Sequence, residues 1–442
     1  MKDKLLNFVR KFESNIYIKA ISGAMTSLMP IMIISSIASL IASINIGTSQ
    51  KIMEQLGILK ITTIVNAMTI DIVSVYVAFL VGYKLAELKG KDILNSALMS
   101  VLAFLILTPI SSVEKIEEVT EGFSGISFSN LGAGAMFVAI FAGLLATWLY
   151  NFLVDKKISI NMPKSVPPVV SKSFSAIIPG AIISSLFGLF ALIFTFTSYG
   201  NMQALFTSVV SIPLQSLGSN IVAIMIIVAF IEFLWFFGMH GVLAVYPIIM
   251  LVYQQPQMEN LAAFSAGEAL PYLFTVGFIL GNRGARSLAV AILCIFNSKS
   301  ERLKTVGKIG IVPAMFGISE PIKFGIPQVL NIRMLFPLML TPAVSVFIAW
   351  LFTILGFMPY NNGVSVPMGA PVIISAIFNY GWTGIVVQFV ELIACLLIYI
   401  PFIKNQDKIY YSEELENLKK VKESQQEMPK ESLDSQVEAV LS

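Results

Sequence analysis

The first half of this 442-residue chain contains five long, predominantly apolar stretches separated by short polar connections. These stretches are residues 18–46, 61–86, 93–112, 131–154 and 174–198. Each is long enough for a helix that crosses a bilayer, which needs about 20 apolar residues. Only 12% of the chain is charged, which leaves too few charged side chains to cover a soluble surface. The sequence therefore predicts an all-α, polytopic membrane protein.

The charges also predict how the chain is oriented. The formal net charge of +3 is too small to indicate a polyanionic partner such as a nucleic acid. Twelve basic residues lie in three connections on one side of the membrane, residues 1–19, 84–92 and 155–172. Three lie in the two connections on the other side, residues 47–60 and 113–130. Since basic loops stay in the cytoplasm, and Lys404 and Lys408 follow the last apolar stretch, we expect both termini to be cytoplasmic.

The distribution of apolar runs divides the chain into three parts. Residues 1–200 form the regular half, in which an amphipathic segment at Lys2–Phe12 precedes the five stretches. In residues 201–403 the stretches at 219–238, 332–357 and 381–403 are clean. Residues 404–442 form a charged tail, with 15 charged residues among 39, which we expect to be cytoplasmic and helical only in part.

Glycine and proline interrupt the apolar runs of the second half at several points. The interruptions are residues 239–241, 266–281, 310–331 and 359–371. Irregular backbone within a membrane is tolerated only where protein or a water-filled cavity satisfies its polar groups. Broken helices of this kind are the best indication, from sequence, of a transporter's substrate site. We therefore expect the second half to be the transport half.

His240 is the only histidine in the chain and lies in the segment FLWFFGMHGV. Gly238 and Gly241 flank it, and Trp235 lies five residues before it. An imidazole can both donate and accept hydrogen bonds, and an aromatic ring can pack against a sugar. His240, Trp235 and Gly241 are therefore candidates for a sugar site. The alternative is a buried histidine whose hydrogen bonds are satisfied at a helix end.

Glu320 lies in the segment GISEPIKFGIP, whose glycines and prolines favour a re-entrant hairpin over a continuous helix. Its carboxylate can accept hydrogen bonds from substrate hydroxyls. Alternatively, Glu320 forms a structural ion pair with Lys323. Ionisable residues inside spans are functional candidates by default.

Further candidates have weaker support. Glu232 lies two helical turns before His240, so it either lines the same cavity or pairs with an arginine. Asn130 is a polar candidate from the first half. Cys294 and Cys395 lie in apolar runs and favour buried packing. Neither a metal-binding cluster nor a cofactor-binding motif is apparent.

Several of these segments together resemble the membrane (IIC) component of the lactose/cellobiose/diacetylchitobiose family of bacterial sugar phosphotransferase systems. The resemblance covers nearly all of residues 1–404. The segments that carry it are FESNIYIKAISGAMTSLMPIMIISSI, MPKSVPPVVSKSF, WFFGMHG and GISEPIKFGIP. One segment departs from the family: VPMGAP, which contains Met368, replaces a tryptophan-containing VPWTTP.

The resemblance implies a fold and a mechanism. It implies a homodimer in the bacterial plasma membrane with about ten transmembrane helices and two re-entrant hairpins per protomer. The first five helices form the dimer scaffold, and the remainder binds sugar and moves across the membrane as an elevator. The family assigns sugar contacts to His240, Trp235 and Glu320. Glu320 holds the hydroxyl that becomes phosphorylated, and Met368 occupies the pocket segment.

The function that the resemblance implies is a permease subunit for a β-linked disaccharide of the cellobiose, diacetylchitobiose or lactose type. Phosphoryl transfer then requires the phosphocysteine of a separate IIB protein, itself supplied by IIA, because the 39-residue tail is too short for a fused IIB domain. The main alternative is an ion-coupled secondary sugar transporter with Glu232, Glu320 and Glu391 as a relay. An intramembrane sugar transferase is a third alternative, although the scattered acids disfavour it.

Overall fold

The computed structural model describes residues 14–44, 48–113, 123–160, 162–163, 166–326, 328–366 and 370–426. Three sequence predictions therefore lie outside the described residues. They concern the amphipathic segment Lys2–Phe12, Met368, and the end of the tail at 427–442.

The five apolar stretches predicted in the first half all form helices. These helices, with their short neighbours, are α1 (Ile16–Ser27), α2 (Met29–Ala42), α3 (Ser49–Gln55), α4 (Ile58–Ala67), α5 (Val73–Leu88), α6 (Ile93–Leu107), α7 (Met136–Asp155), α8 (Pro168–Ser175) and α9 (Ile177–Thr195). Asn15 fixes the start of α1, because its side-chain oxygen accepts hydrogen bonds from the amides of Tyr17 and Ile18. A 3-10 turn at Ile70–Ile72 separates α4 from α5.

A short β-hairpin interrupts the helices between α6 and α7. Its antiparallel strands are β1 (Ser111–Val113) and β2 (Phe123–Gly125), with Ser112 opposite Ser124. Two 3-10 turns follow, at Phe128–Asn130 and Ala133–Ala135. The described residues are otherwise helical or irregular, so the predicted all-α class holds apart from this hairpin.

The second half combines long helices with short ones. They are α10 (Met202–Phe206), a π-helical turn (Thr207–Ser211), α11 (Ile212–Gly218), α12 (Ile221–Phe236), α13 (Gly241–Ala266), α14 (Val276–Gly281), α15 (Arg286–Phe296), α16 (Glu301–Met315), α17 (Glu320–Gly325), α18 (Ile332–Ile354), α19 (Val372–Tyr380) and α20 (Trp382–Gln426). The clean stretches predicted at 219–238, 332–357 and 381–403 correspond to α12, α18 and the first part of α20.

One long helix of this half was not expected from the sequence. Helix α13 runs for 26 residues through Pro247 and Pro256. Proline removes one helix hydrogen bond and disfavours a helix interior. More than half of the residues of α13 are buried, including Ile249, Met258 and Leu261. Tertiary packing therefore overrides the local preference.

Seven helical segments among the described residues are long and apolar enough to cross a membrane. They are Ile16–Ala42, Ile58–Leu88, Phe128–Asp155, Val170–Thr195, Val276–Phe296, Ile332–Ile354 and Trp382–Lys420. Two shorter apolar helices, Ile93–Leu107 and Ile221–Phe236, accompany them. The predicted multi-pass membrane protein is thus confirmed, whereas the predicted number of about ten crossings stays a prediction.

A few hydrogen bonds and an apolar interface join the two halves of the chain. Helix α13 packs against α1 and α2 within the largest buried cluster. The amide of Ser365 donates to the hydroxyl of Ser36 (2.9 Å). The hydroxyl groups of Ser39 and Ser265 lie 2.8 Å apart, and Asn66 Nδ2 donates to Ser265 Oγ (2.8 Å). We call Asn66, Ser39 and Ser265 the polar latch.

The tail begins as a direct continuation of the last helix, because α20 has no break at residue 404. Asp407 accepts hydrogen bonds from the amides of Lys299 and Ser300. About two turns further on, Glu414 accepts hydrogen bonds from the hydroxyl of Ser300 and the amide of Arg302. These carboxylates therefore anchor the N-terminus of α16, the helix that leads towards Glu320.

Candidate functional site

A cavity of about 440 Å³ lies between α1–α2 and the irregular segments of the second half. Its volume lies within the range of about 300–1,000 Å³ that is typical of small-molecule sites. Met25, Met29 and Met32 line it from the first half. The second half contributes polar and charged groups, which are Glu232, Trp235, His240, Arg283, Arg286, Glu320 and Lys323. The cavity therefore has the concave form and the few convergent polar groups of a ligand site.

His240 lies at the boundary between two helices. Helix α12 ends at Phe236, and Gly238, at a φ of 80°, turns the chain so that His240 becomes the N-cap of α13. The amide of Leu243 donates to His240 Nδ1 (3.3 Å). Because Nδ1 accepts this bond, the proton of the neutral ring lies on Nε2. The helix cap thus sets the tautomer, and Nε2 is left as a donor towards the cavity.

His240 and Glu320 form what we call the open pair. His240 Nε2 lies 3.4 Å from Glu320 Oε1, and the two side chains are 39% and 40% exposed. Glu320 is the first residue of α17 and follows the turn that ends α16. The alternative of a buried histidine is therefore wrong. Both groups face the cavity and remain accessible to a ligand.

Glu232, Arg286 and Lys323 form what we call the buried cluster. Glu232 is fully buried and accepts hydrogen bonds from Arg286 Nη2 (2.6 Å) and Lys323 Nζ (2.8 Å). The expected pair between Lys323 and Glu320 is therefore wrong, because Lys323 turns away to Glu232. The two interpretations of Glu232 are both correct, since it lines the cavity and pairs with an arginine. However, it does not share a helix with His240, because α12 ends at Phe236.

The indole of Trp235 lies between the open pair and the buried cluster. Its ring centroid is 4.6 Å from that of His240, and Lys323 Nζ lies 4.1 Å from its centroid. Trp235 is only 4% exposed. In this conformation it packs against protein groups and offers little ring surface for a sugar. It therefore positions both His240 and Lys323.

Three other predicted site residues do not line the cavity or cannot be placed. Asn130 Nδ2 donates to the carbonyl of Pro109 (3.4 Å) and lies outside the cavity. Gly241 also lies outside the cavity, and a Cβ there would collide with the carbonyl oxygen of Ile231. This glycine is required for packing between α12 and α13. Met368 is not among the described residues, although Val366 and Ala370 on either side of its segment line the cavity.

Sequence reasoning missed the amide side chains of α13 that support the cavity. Gln257 Oε1 accepts from the amide of Gly277 (2.9 Å), and its Nε2 donates to the carbonyl of Gly363 (2.7 Å). Asn260 Nδ2 donates to the carbonyls of Tyr272 and Asn361, both at 2.6 Å. These bonds satisfy irregular backbone at membrane depth. The signal was the run QQPQMEN at 254–260, in which polar residues crowd a hydrophobic region.

Metal ligands are not clustered in the described part of the chain. No group of three or more His, Cys, Asp or Glu side chains there is placed to hold a metal ion. Cys294 and Cys395 are both fully buried, as the apolar runs predicted. Neither thiol is accessible to a reaction partner in this conformation.

Known proteins match this chain over most of its length. The family described as "Phosphotransferase system, EIIC" matches residues 22–342. The oligo-beta-mannoside-specific EIIC component of Bacillus subtilis (strain 168) is 31% identical over 93% of this chain and 94% of that protein. The cellobiose-specific EIIC component of Geobacillus stearothermophilus is 30% identical over 94% of this chain and 95% of that protein.

A solved structure agrees with these sequence matches. The crystal structure of ChbC, the IIC component of an N,N'-diacetylchitobiose-specific phosphotransferase system, superposes with a TM-score of 0.84 at 27% identity, covering 93% of this chain and 98% of that one. The resemblance drawn from the sequence segments is thus confirmed over the same part of the chain. This chain belongs to the phosphotransferase-system EIIC family of multi-pass membrane permeases.

Proposed function

We propose that the cavity binds one β-linked disaccharide, such as cellobiose, and places its terminal 6-hydroxyl at Glu320. The open pair carries this proposal, because it presents a donor and an acceptor side by side on the cavity wall. His240 faces one oxygen of Glu320, and the carboxylate can accept a hydrogen bond from a sugar hydroxyl. The relatives named for oligo-beta-mannosides, cellobiose and diacetylchitobiose support this class of sugar.

Glu320 then acts as a general base during phosphorylation of the bound sugar. The 6-hydroxyl oxygen attacks phosphorus in the phosphocysteine of the IIB protein, the phosphorus–sulfur bond breaks, and the hydroxyl proton passes to Glu320. A positioned base contributes about 10²–10⁴-fold to such a step. The imidazole of His240 lies beside this carboxylate, with Nε2 3.4 Å from Oε1. The chain itself binds and moves the sugar, and IIB, supplied by IIA, donates the phosphoryl group.

Translocation in this proposal is an elevator movement of residues 201–403 against the scaffold of residues 1–200. The position of the cavity supports it, because methionines of α1 and α2 face the polar groups of the second half. Methionine side chains are flexible and adapt to a surface that slides past them. The polar latch and the bond between Ser36 and Ser365 are among the hydrogen bonds that such a movement must break.

The remaining parts of the proposal concern assembly and orientation. The basic connections favour cytoplasmic termini in a bacterial plasma membrane. Large apolar side chains point outward along α9, where Leu189 and Leu192 are 50% and 53% exposed. Such surfaces suit lipid or a second protomer. We place the homodimer interface in the first half.

An ion-coupled secondary transporter, the main alternative, has less support from the geometry. Glu232, one member of its relay, is held by two cations in the buried cluster. Glu391 is 1% exposed and lines no part of the cavity. A relay needs carboxylates that exchange protons or ions with a path to water. Uptake should therefore depend on phosphorylated IIB rather than on an ion gradient.

Uptake into proteoliposomes tests the proposal. Purified chain is reconstituted with IIA, IIB and a phosphoryl donor inside, and radiolabelled cellobiose, mannobiose and diacetylchitobiose are added outside. Glu320→Gln keeps the shape of the side chain and removes its basicity. The matched control is Glu268→Gln, because Glu268 is an exposed glutamate outside the cavity.

We expect wild-type protein and Glu268→Gln to accumulate phosphorylated sugar equally. Glu320→Gln should phosphorylate the sugar about 10²–10⁴-fold more slowly, because it lacks the contribution of a general base. Wild-type phosphorylation by Glu320→Gln would overturn the role of Glu320. Uptake that persists without IIB and collapses with the ion gradient would favour the secondary transporter instead.

A further inference from the structure

The wall of the cavity next to Glu320 carries more positive than negative charge. Arg283, Arg286 and Lys323 all line it, and among the described lining residues the acids are Glu232 and Glu320. His240 also lines this wall, with its Nδ1 accepting the hydrogen bond from the amide of Leu243. Three cations against two carboxylates leave a surplus of one positive charge. A neutral disaccharide does not require this surplus, and cations inside a membrane are expensive unless they have a partner.

Arg283 carries that surplus. Arg286 and Lys323 both pair with Glu232. Arg283 Nε donates to the carbonyl of Leu280 (3.2 Å). Within the described part of the chain, no carboxylate lies within salt-bridge distance of the Arg283 guanidinium, and no group accepts a hydrogen bond from its two terminal nitrogens. A guanidinium of this kind presents planar donors that match phosphate oxygens.

A hydrogen bond and close backbone packing fix the loop that holds Arg283. Arg286 Nη1 donates to the carbonyl of Arg283 (2.8 Å), which closes the loop between α14 and α15. Gly284 has a φ of 73°, and a Cβ there would meet the side chains of Ser345 and Cys395. The backbone is therefore pressed against α18 and α20, where a side chain would not fit. This rigidity pre-orders the cation before a ligand arrives.

A chain of contacts joins this loop to Glu320. Arg283 supplies its carbonyl to Arg286, and Arg286 and Lys323 meet at Glu232. Lys323 lies on the same short helix as Glu320, three residues later. Glu320 and Arg283 also line the same cavity, so a group attached to a hydroxyl at Glu320 shares that cavity with the surplus cation.

We propose that Arg283, on the loop that Arg286 holds in place, forms a phosphoryl subsite for the phosphate of the newly phosphorylated disaccharide. The inference rests on the proposed role of Glu320 and adds a ligand group to the same cavity. A phosphate monoester carries close to two negative charges at neutral pH. The surplus cation compensates part of that charge as the phosphoryl group arrives, while Glu320 takes the hydroxyl proton. The subsite thus distinguishes the charged product from the neutral substrate.

The test compares three probes on full-length protein in detergent. Calorimetry measures the affinities of cellobiose, of cellobiose phosphorylated on the 6-hydroxyl of the non-reducing glucose, and of inorganic phosphate. Mannobiose and diacetylchitobiose are added as further neutral sugars for the wild type. The variant is Arg283→Gln, and its control is Arg333→Gln, because Arg333 is exposed and lies outside the cavity. Thermal unfolding of each variant checks that it is folded.

In the wild type and Arg333→Gln, phosphocellobiose should bind more tightly than inorganic phosphate. In Arg283→Gln, the ratio of phosphocellobiose to cellobiose affinity should fall about tenfold to a hundredfold, as expected for a lost charge-assisted hydrogen bond. An unchanged ratio, or inorganic phosphate that binds as tightly as phosphocellobiose, would overturn the inference. If the wild type binds none of cellobiose, mannobiose or diacetylchitobiose, the proposed function fails as well. If it binds one of them and the ratio is unchanged, the phosphoryl subsite alone fails.

Discussion

The open pair and the buried cluster each bring a carboxylate close to basic side chains at the same cavity. They differ in how exposed the side chains are and in the distances between their charged or polar atoms. In the open pair the two groups are about 40% exposed and 3.4 Å apart. In the buried cluster Glu232 is fully enclosed, and its contacts are 2.6 and 2.8 Å long. A long, accessible contact can be exchanged for a ligand, whereas a short, enclosed one cannot without leaving charge unpaired. This difference supports the proposal that the buried cluster fixes the architecture and the open pair meets the substrate.

The largest expected effect on stability comes from removing the negative charge of Glu232 in the buried cluster. Glu232→Gln leaves Arg286 and Lys323 without a compensating carboxylate, so the unfolding free energy should fall by about 3–5 kcal/mol. Unfolding in detergent by titration with a denaturing surfactant measures this loss. The matched control is Glu320→Gln, which alters a half-exposed pair and should lower stability by less than about 1 kcal/mol. Equal losses in the two variants would remove the distinction between the pair and the cluster.

A substitution at His240 separates its two contacts. Asparagine can accept the hydrogen bond from the amide of Leu243 as an N-cap, but it does not reproduce the imidazole donor towards Glu320. His240→Asn should therefore keep the unfolding free energy within about 0.5 kcal/mol, since asparagine is a preferred cap. Its cellobiose affinity should fall about tenfold, because the imidazole donor that we propose for the sugar is lost.

His240→Ala is the comparison for that variant. It loses the cap as well as the donor, so we expect it to lose about 1 kcal/mol of stability in addition to the same loss of affinity. Thermal unfolding and calorimetry on the two variants separate these effects. If His240→Asn binds cellobiose as the wild type does, the open pair does not contact the substrate.

The sequence predicted the spans better than the contacts between them. Runs of apolar residues have a length that matches the bilayer, so α5, α7 and α18 follow from local pattern. The partner of Glu232 could not be predicted in the same way. Lys323 lies beside Glu320 in sequence, and only the packing of α17 against the end of α12 brings it to Glu232.

The same limit explains α13 and its amides. Pro247 and Pro256 gave a local signal for a break, and buried packing around them outweighed it. Gln257 and Asn260 form their bonds with segments 12 to 106 residues away. A single sequence contains no measure of which distant backbone groups lack partners. The motifs around His240 and Glu320 could be recognised because their composition is itself unusual for a membrane span.

A smaller effect is expected where the two halves meet. Ser265→Ala removes the group that Asn66 and Ser39 share across the interface, at a cost of about 1 kcal/mol for the lost hydrogen bonding. If the halves move as proposed, Ser265→Ala should shift the equilibrium between the two transport conformations about fivefold, away from the conformation in which the polar latch is formed. Hydrogen exchange of α2 and α13 measures the shift. Ser43→Ala is the control, because Ser43 Oγ donates only to the carbonyl of Leu40 within its own helix. Identical exchange in the two variants would contradict a role for the polar latch in the movement.

The smallest effect tests whether the open pair is also held from the far end of α16. Glu414 accepts hydrogen bonds from the hydroxyl of Ser300 and the amide of Arg302, at the start of the helix that leads to Glu320. Glu414→Gln keeps a side-chain acceptor but removes the charge that favours a helix N-terminus, so stability should fall by about 0.3–1 kcal/mol. Its exposed neighbour Glu413 provides the control Glu413→Gln. If the buried cluster alone positions Glu320, the rate of sugar phosphorylation should stay within about twofold of the wild type in both variants, since the lost energy is local to the first turn. A larger loss of rate in Glu414→Gln alone would show that the C-terminal helix, and not only the buried cluster, positions the carboxylate that we propose as the general base.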